Sequence, residues 1–353
     1  MIKLFSPYIA DEAIDEIRKV LKSGCITQGP KVDEFEQKFC EKFNVKNAVS
    51  LNSGTAALET AYDLLDLGEG DEVITTPLTC LATNIPLLHR KVKIVWADID
   101  KDTLCIDRKD VVNKITDRTK AIVQVHLGGI SADIGKMPVP VVSDACQALG
   151  IFVGDISCCS FQAIKTVSTG DGGRLALNDN ILAQKARLLR WFGIDRSRKI
   201  AQDWMSYRTR MMCFDVEVAG YKRHMNDITA TLGLVGLNHY DEIGGYRQKL
   251  FKIYREELNG VPGLKLIDAK DNVCWLVTIL VEKRDNFAKK LYDFGIETNL
   301  VQVRNDNYEI FKDYKTELPI MDSIENKYIS LPIGAHVTEK DVQLICRIIN
   351  SGW

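Results

Sequence analysis

Apolar and charged residues alternate at helical spacing over residues 11–23, and again over residues 31–43. Gly24, Gly29 and Pro30 break the periodicity between them and mark a loop. Residues 48–51 read as a strand, Asn52-Ser53-Gly54-Thr55 as a turn, and residues 56–65 as a helix. Short β-rich runs follow at 73–76, 92–96, 121–125, 140–143 and 173–177, separated by helical segments. This alternation predicts an α/β fold, a sheet with helices on both faces. Residues 227–258 read as nearly continuous helix, interrupted around Gly244-Gly245. Beyond Pro262 come a strand at 275–281, a helix at 285–294 and a terminal helix at 338–350, the pattern of a smaller α/β domain. The expected division is a large domain over 1–240, including the N-terminal segment, and a small domain over 241–353.

Composition narrows the function classes. A chain of 353 residues, 46% of them hydrophobic, carries more core than one domain usually holds. With 46 basic and 48 acidic residues the net charge is −2, so no global field attracts nucleic acid or a membrane surface. The N-terminus builds no apolar signal core, and no run approaches the ~18 apolar residues of a membrane span. A cytoplasmic protein is expected. Ten cysteines are scattered through apolar contexts and read as mostly free, buried thiols. The adjacent pair Cys158-Cys159 lacks zinc-ligand spacing, and no metal site is expected.

Candidate chemistry concentrates in three places. Ser53-Gly54-Thr55 lies between a strand and a helix, where free N–H groups and the positive dipole end suit a phosphate monoester; an ordinary helix cap reads the same way. Asp144 ends an apolar strand and suits a protonated ring nitrogen, or equally a turn or helix cap. Lys165, in Ser160-Phe161-Gln162-Ala163-Ile164-Lys165, follows small and apolar residues that would lower its amine pKa and favour a Schiff-base lysine; a solvated loop lysine is the plainer reading. The cluster Gly170-Asp171-Gly172-Gly173 also fits a hairpin turn. His126 suits a contact to a cofactor ring or substrate, or a satisfied strand-end histidine. Arg190, Arg196, Arg198, Arg223 and Arg304 are candidate phosphate ligands. Each signal is weak alone. Their order, strand-SGT-helix, strand-Asp, then Ser-Phe-x-x-x-Lys before a glycine cluster, fits a site for pyridoxal phosphate (PLP) with Lys165 as covalent anchor.

That order resembles the fold-type I PLP enzymes, and within them the DegT/DnrJ/EryC1/StrS sugar aminotransferases. The resemblance runs from Gly24-Cys25-Ile26-Thr27-Gln28-Gly29-Pro30 through Asn52-Ser53-Gly54-Thr55-Ala56-Ala57-Leu58 and Asp144-Ala145-Cys146-Gln147-Ala148-Leu149-Gly150. It continues to Gly193-Ile194-Asp195-Arg196 and Gly220-Tyr221-Lys222-Arg223-His224-Met225-Asn226-Asp227. It implies an aspartate aminotransferase-like fold: a large, mixed, mostly parallel sheet flanked by helices, plus a smaller C-terminal α/β domain. It implies that Lys165 binds the cofactor, that Asp144 pairs with the pyridine nitrogen, that Gly54, Thr55 and Ser160 hold the phosphate, and that Gln147 lies near the ring hydroxyl. Substrate contacts are expected at Thr27, His126, Arg190, His224 and Arg304. The family is dimeric, with the loop 220–227 reaching into the partner's site.

Three departures stand out. Cys80, in Leu78-Thr79-Cys80-Leu81-Ala82-Thr83-Asn84, occupies the position of the usual ring-stacking aromatic. Lys222 replaces the usual asparagine after Gly-Tyr and would reach a phosphate. Val301-Gln302-Val303-Arg304-Asn305-Asp306 replaces the usual His-Tyr motif. This variant is similar to the perosamine/viosamine branch, which aminates C4 of nucleotide-linked 4-keto-6-deoxyhexoses with L-glutamate as donor. Amination at C3 and dehydration are the rivals on the same fold, although the dehydratases carry histidine in place of Lys165. A non-catalytic PLP-binding regulator would need an effector domain, for which the chain has no room. A plain nucleotide-binding protein would need a P-loop or a Gly-x-Gly-x-x-Gly after a strand, and neither is present.

Overall fold

Seven strands form the main sheet: β1 (Asn47–Leu51), β2 (Glu72–Thr75), β3 (Lys93–Trp96), β4 (Thr119–Val125), β5 (Val141–Asp144), β6 (Ile156–Ser160) and β7 (Gly173–Leu177). The computed structural model describes residues 1–195, 216 and 218–353. The strand order is β1-β7-β6-β5-β4-β2-β3, with β7 antiparallel to both neighbours and the rest parallel. Strands β2, β5, β6 and β7 are buried along their whole length, as a sheet covered on both faces requires. Side chains alternate between two cores. Val49, Cys158 and Leu175 pack toward the helix Gly54–Leu64, while Ala48, Cys159 and Ala176 face Phe35 and Phe39 of the helix Pro30–Phe43.

β6 was not anticipated. Its sequence, Ile-Ser-Cys-Cys-Ser, carries one β-branched residue, and its strand character comes from pairing with β5 and β7. The register of these strands then brings Leu51, Gly173, Ser160, Asp144 and Val125 to one edge of the sheet. The loops that leave this edge build the site, as expected for the carboxyl ends of parallel strands.

A second sheet, with order β10-β9-β8, joins β8 (Leu264–Leu266), β9 (Val277–Val281) and β10 (Tyr328–Leu331) in antiparallel pairs. The helices Tyr240–Glu257 and Glu339–Asn350 cover it. The interruption expected at Gly244-Gly245 falls instead at His239, between the helices Asp227–Asn238 and Tyr240–Glu257. Neither glycine meets any neighbour, while Ile243, Arg247, Leu250 and Tyr254 on the other face are buried, so packing overrides glycine's weak helix propensity. Among the described residues, no helix is long and apolar enough to cross a membrane.

Candidate active site

The helix Gly54–Leu64 begins at the sheet edge with Ser53 as its cap, the Ser53 hydroxyl accepting from the Ala56 N–H at 3.0 Å. Gly54 and Thr55 supply the first-turn N–H groups, which have no partner within the helix. The backbone is crowded here. A Cβ on Gly54 would lie 2.8 Å from the Ser160 Cβ, and a Cβ on Gly173 would overlap the Ser53 carbonyl. Glycine at both positions therefore lets β1, β6 and β7 close around one cradle.

Lys165 lies on the loop between β6 and β7. That loop is closed by the Phe161 N–H on the Gly172 carbonyl and the Thr169 N–H on the Phe161 carbonyl, both 2.8 Å. The plainer picture of a solvated loop lysine does not hold, since the amine sits 3.9 Å from the centre of the Trp275 ring. Burial pulls the Lys165 pKa below the ordinary lysine value, opposed in part by Cys146, Asp144 and Cys80.

Asp144 is buried. One carboxylate oxygen accepts from the Thr83 hydroxyl at 2.7 Å and the other from the Cys146 N–H at 3.0 Å. The Gln147 side-chain oxygen accepts from the Gly128 N–H at 2.8 Å, which fixes the amide orientation and leaves its NH2 group as a donor. Asp144 and Gln147, with Gly54, Thr55, Cys80, Ser160 and Lys165, line one cavity of about 350 Å³, within the range of small-molecule sites. Val301 and Gln302 form another part of the wall. Their segment is held against the Cys80 loop by Asn305, which is fully buried, donates to the Thr79 carbonyl at 2.8 Å and accepts from Asn84 at 2.9 Å.

The remaining candidates do not line this cavity. Arg190 is buried against Glu36 at 2.5 Å and the Ser50 carbonyl at 3.1 Å, so it ties the first strand to its helix rather than binding a phosphate. Burial pushes Glu36 up, yet Arg190, the Ser50 N–H and Arg174 together hold it below the usual carboxylate range. Arg304 is spent on Asp306, Asp322 and Glu325, at 2.5, 2.5 and 3.1 Å, and is 3% exposed. Arg223 pairs with Asp63 and Glu59. His126 is fully buried and accepts the Ala132 N–H at 2.8 Å through Nδ1. Burial lowers its pKa to about 4, so it is a neutral structural histidine rather than a substrate contact. Thr27 and His224 meet each other at 3.4 Å, and Lys222 is exposed outside the cavity. Arg196 and Arg198 lie outside the described residues.

Sequence reasoning missed Trp275, Cys146 and Thr83. Trp275 and Cys146 line the cavity, and Thr83 supports Asp144 from behind. Nothing local marks Trp275, which reads as the start of a strand. It also missed the role of Asp227, whose carboxylate caps the helix Pro30–Phe43 by accepting from the N–H groups of Gly29, Lys31 and Val32. The Gly29-Pro30 and Asn226-Asp227 motifs therefore belong together structurally.

The residues present suit PLP. A glycine cradle at a helix N-terminus matches a phosphate, a buried carboxylate matches a ring nitrogen, and a desolvated amine shares the cavity with both. Comparison with known proteins agrees. The chain is similar to the spore coat polysaccharide biosynthesis protein SpsC of Bacillus subtilis, 32% identical over 95% of this chain and 93% of that protein. The sugar aminotransferase CalS13 of Micromonospora echinospora superposes with a TM-score of 0.93 at 32% identity, covering 100% of both chains. The PLP form of the putative sugar aminotransferase Spr1654 of Streptococcus pneumoniae superposes with a TM-score of 0.88 at 25% identity, covering 99% of this chain and 98% of that one. The family model for DegT/DnrJ/EryC1/StrS aminotransferases matches residues 7–350, and with the cradle, carboxylate and lysine assembled in one cavity the chain belongs to that family of PLP-dependent sugar aminotransferases.

Proposed function

We propose that the enzyme moves the amino group of L-glutamate onto C4 of a nucleotide-linked 4-keto-6-deoxyhexose, giving a 4-amino-4,6-dideoxy sugar of the viosamine or perosamine type. The observation that carries this reading is the position of Val301 and Gln302. The segment that departs from the common His-Tyr motif forms cavity wall on the same site as Lys165, where a bound sugar would touch it.

When bound, PLP supplies an electron sink that makes a proton on the nitrogen-bearing carbon removable. Gly54, Thr55 and Ser160 would hold its phosphate, Asp144 its ring nitrogen, and the Gln147 NH2 its ring hydroxyl. Lys165 Nζ takes the proton from the donor's α-carbon and returns a proton to the sugar C4. Its lowered pKa suits this work, because more of the amine is free base near neutrality. Thr83 keeps the Asp144 carboxylate oriented through its 2.7 Å bond.

The same proposal includes a homodimer in the cytoplasm, with domains over 1–240 and 241–353. Lys222, exposed and outside its own chain's cavity, then serves the partner's site. Assay of UDP-, GDP- and dTDP-linked 4-keto-6-deoxy sugars with L-glutamate, reading the amine position by NMR, tests the substrate. Amination at C4 of at least one is expected. Product aminated at C3, or no amino sugar from a yellow, cofactor-loaded protein, overturns it.

A further inference from the structure

Trp275 precedes β9 in the second sheet, yet it closes on the lysine loop of the first. Its segment lies along Gly128-Gly129, the Val273 N–H donating to Gly129 and the Leu276 N–H to Gly128, both at 2.9 Å. Gly129 has φ +105°, and a Cβ there would lie 2.8 Å from the Trp275 nitrogen, so the approach depends on glycine. Three contacts then fix the tryptophan, which is 1% exposed. Arg247 donates to its carbonyl at 2.9 Å, Phe5 stacks on its ring at 5.6 Å, and its own Nε1–H donates to the Ile164 carbonyl at 3.1 Å. The Phe5 segment is anchored in turn, with the Leu4 N–H on Glu297 at 3.0 Å.

We propose that Trp275 is a positioning residue for Lys165: its indole N–H holds the loop at Ile164, and its ring face holds the protonated amine in the cavity, 3.9 Å from the ring centre. The inference rests on Lys165 as the proton carrier of the proposed reaction. Within each half-reaction a carrier must take a proton from one carbon, hold it briefly as an ammonium and release it to another. Among the described ion pairs none joins Lys165 to a carboxylate; Cys146, Asp144 and Cys80, which share its cavity, favour the ammonium without a direct salt bridge. A carboxylate partner would favour the ammonium by about one to three pH units. An aromatic face favours it less, does not compete for the proton, and is strongest for tryptophan. Burial disfavours the ammonium, so the ring face offsets part of that effect without locking the charge in place.

The test uses full-length, cofactor-free protein, in which the amine is free. Acetylation of Lys165 is followed across pH by mass spectrometry in wild type, Trp275→Phe and Trp275→Leu. The labelling midpoint should fall by about one pH unit in Trp275→Leu, the shift expected for loss of a desolvated cation–π contact. Trp275→Phe, which keeps a ring face, should recover most of it. A folded Trp275→Leu variant with the wild-type midpoint overturns the proposal. Should that variant fail to fold, the indole absorbance of wild type, with Lys165→Met as reference, decides. A spectral step at the Lys165 labelling midpoint supports the contact, and its absence overturns it. No sugar enters these measurements, so an intact shift alongside failed sugar amination counts against the proposed function alone.

Discussion

Gly54 faces Ser160 so closely that a Cβ on the glycine would stand 2.8 Å from the serine Cβ and 3.0 Å from the Cys146 sulfur. The contact fixes how near the start of the helix comes to the end of β6, and so the width of the proposed phosphate cradle. Gly54→Ala should overpack this contact at a cost of about 1–3 kcal/mol. PLP affinity should fall by about tenfold or more, read by absorbance titration, while the far-ultraviolet circular dichroism stays that of the folded protein.

Cys80 is exposed at the cavity wall, just before the helix Leu81–His89, and makes no capping bond with its side chain. An aromatic side chain there would add stacking worth about 0.5–1.5 kcal/mol. Cys80→Tyr should tighten PLP binding several-fold in the same titration; unchanged or weaker binding would show that the ring does not pass this position.

Arg304 is the only cation that any described ion pair gives to the fully buried Asp306 carboxylate. Removing one partner of such a pair costs about 3–5 kcal/mol. Arg304→Ala should therefore lower the denaturant midpoint sharply. The KM for the sugar, measured where the variant is folded, should stay near wild type, since the side chain does not line the cavity.

His126 gives the pH dependence a defined window. Buried and neutral, with a folded pKa of about 4 against 6.5 when unperturbed, it binds protons less readily folded than unfolded. Its stability contribution is therefore complete above pH 6.5 and is lost as pH falls toward about 4, on the order of 3 kcal/mol in all. His126→Asn keeps an acceptor for the Ala132 N–H but cannot take up the proton. The melting temperature of the variant should fall less than that of wild type between pH 6.5 and 4.

Lys222 and Lys165 should act across a dimer. Lys165→Ala and Lys222→Ala should each be inactive or strongly impaired alone. Subunits mixed after reversible dissociation should regain activity, because one site of the mixed dimer then holds both lysines. No recovery on mixing would place Lys222 outside the partner's site.

Much of the site could be read from the sequence because its parts lie at strand ends followed by turns. Ser53-Gly54-Thr55 follows β1, Asp144 ends β5 and the Ser160-to-Lys165 run leaves the last residue of β6, and the sheet register brings all three to one edge. β6 was hidden because cysteine and serine carry little strand preference, and its neighbours supply the pairing. The break at His239 was misplaced for a related reason: local glycine content says less about a helix than the buried face it keeps.

The sequence by itself determined the family and the cofactor and singled out Lys165 as the candidate anchor, since these rest on residue types in a fixed order along strand-loop units. Tertiary structure decided which charged groups were already occupied. Arg190 and Arg304 are no more than candidate phosphate ligands in the sequence, and the fold places Glu36 and Asp306 against them. It also decided that Trp275, far along the chain, meets Lys165. Secondary structure follows from patterns a few residues long. Ion pairs and ring contacts depend on which distant segments pack together, and that is fixed only when the two sheets and their loops close on each other.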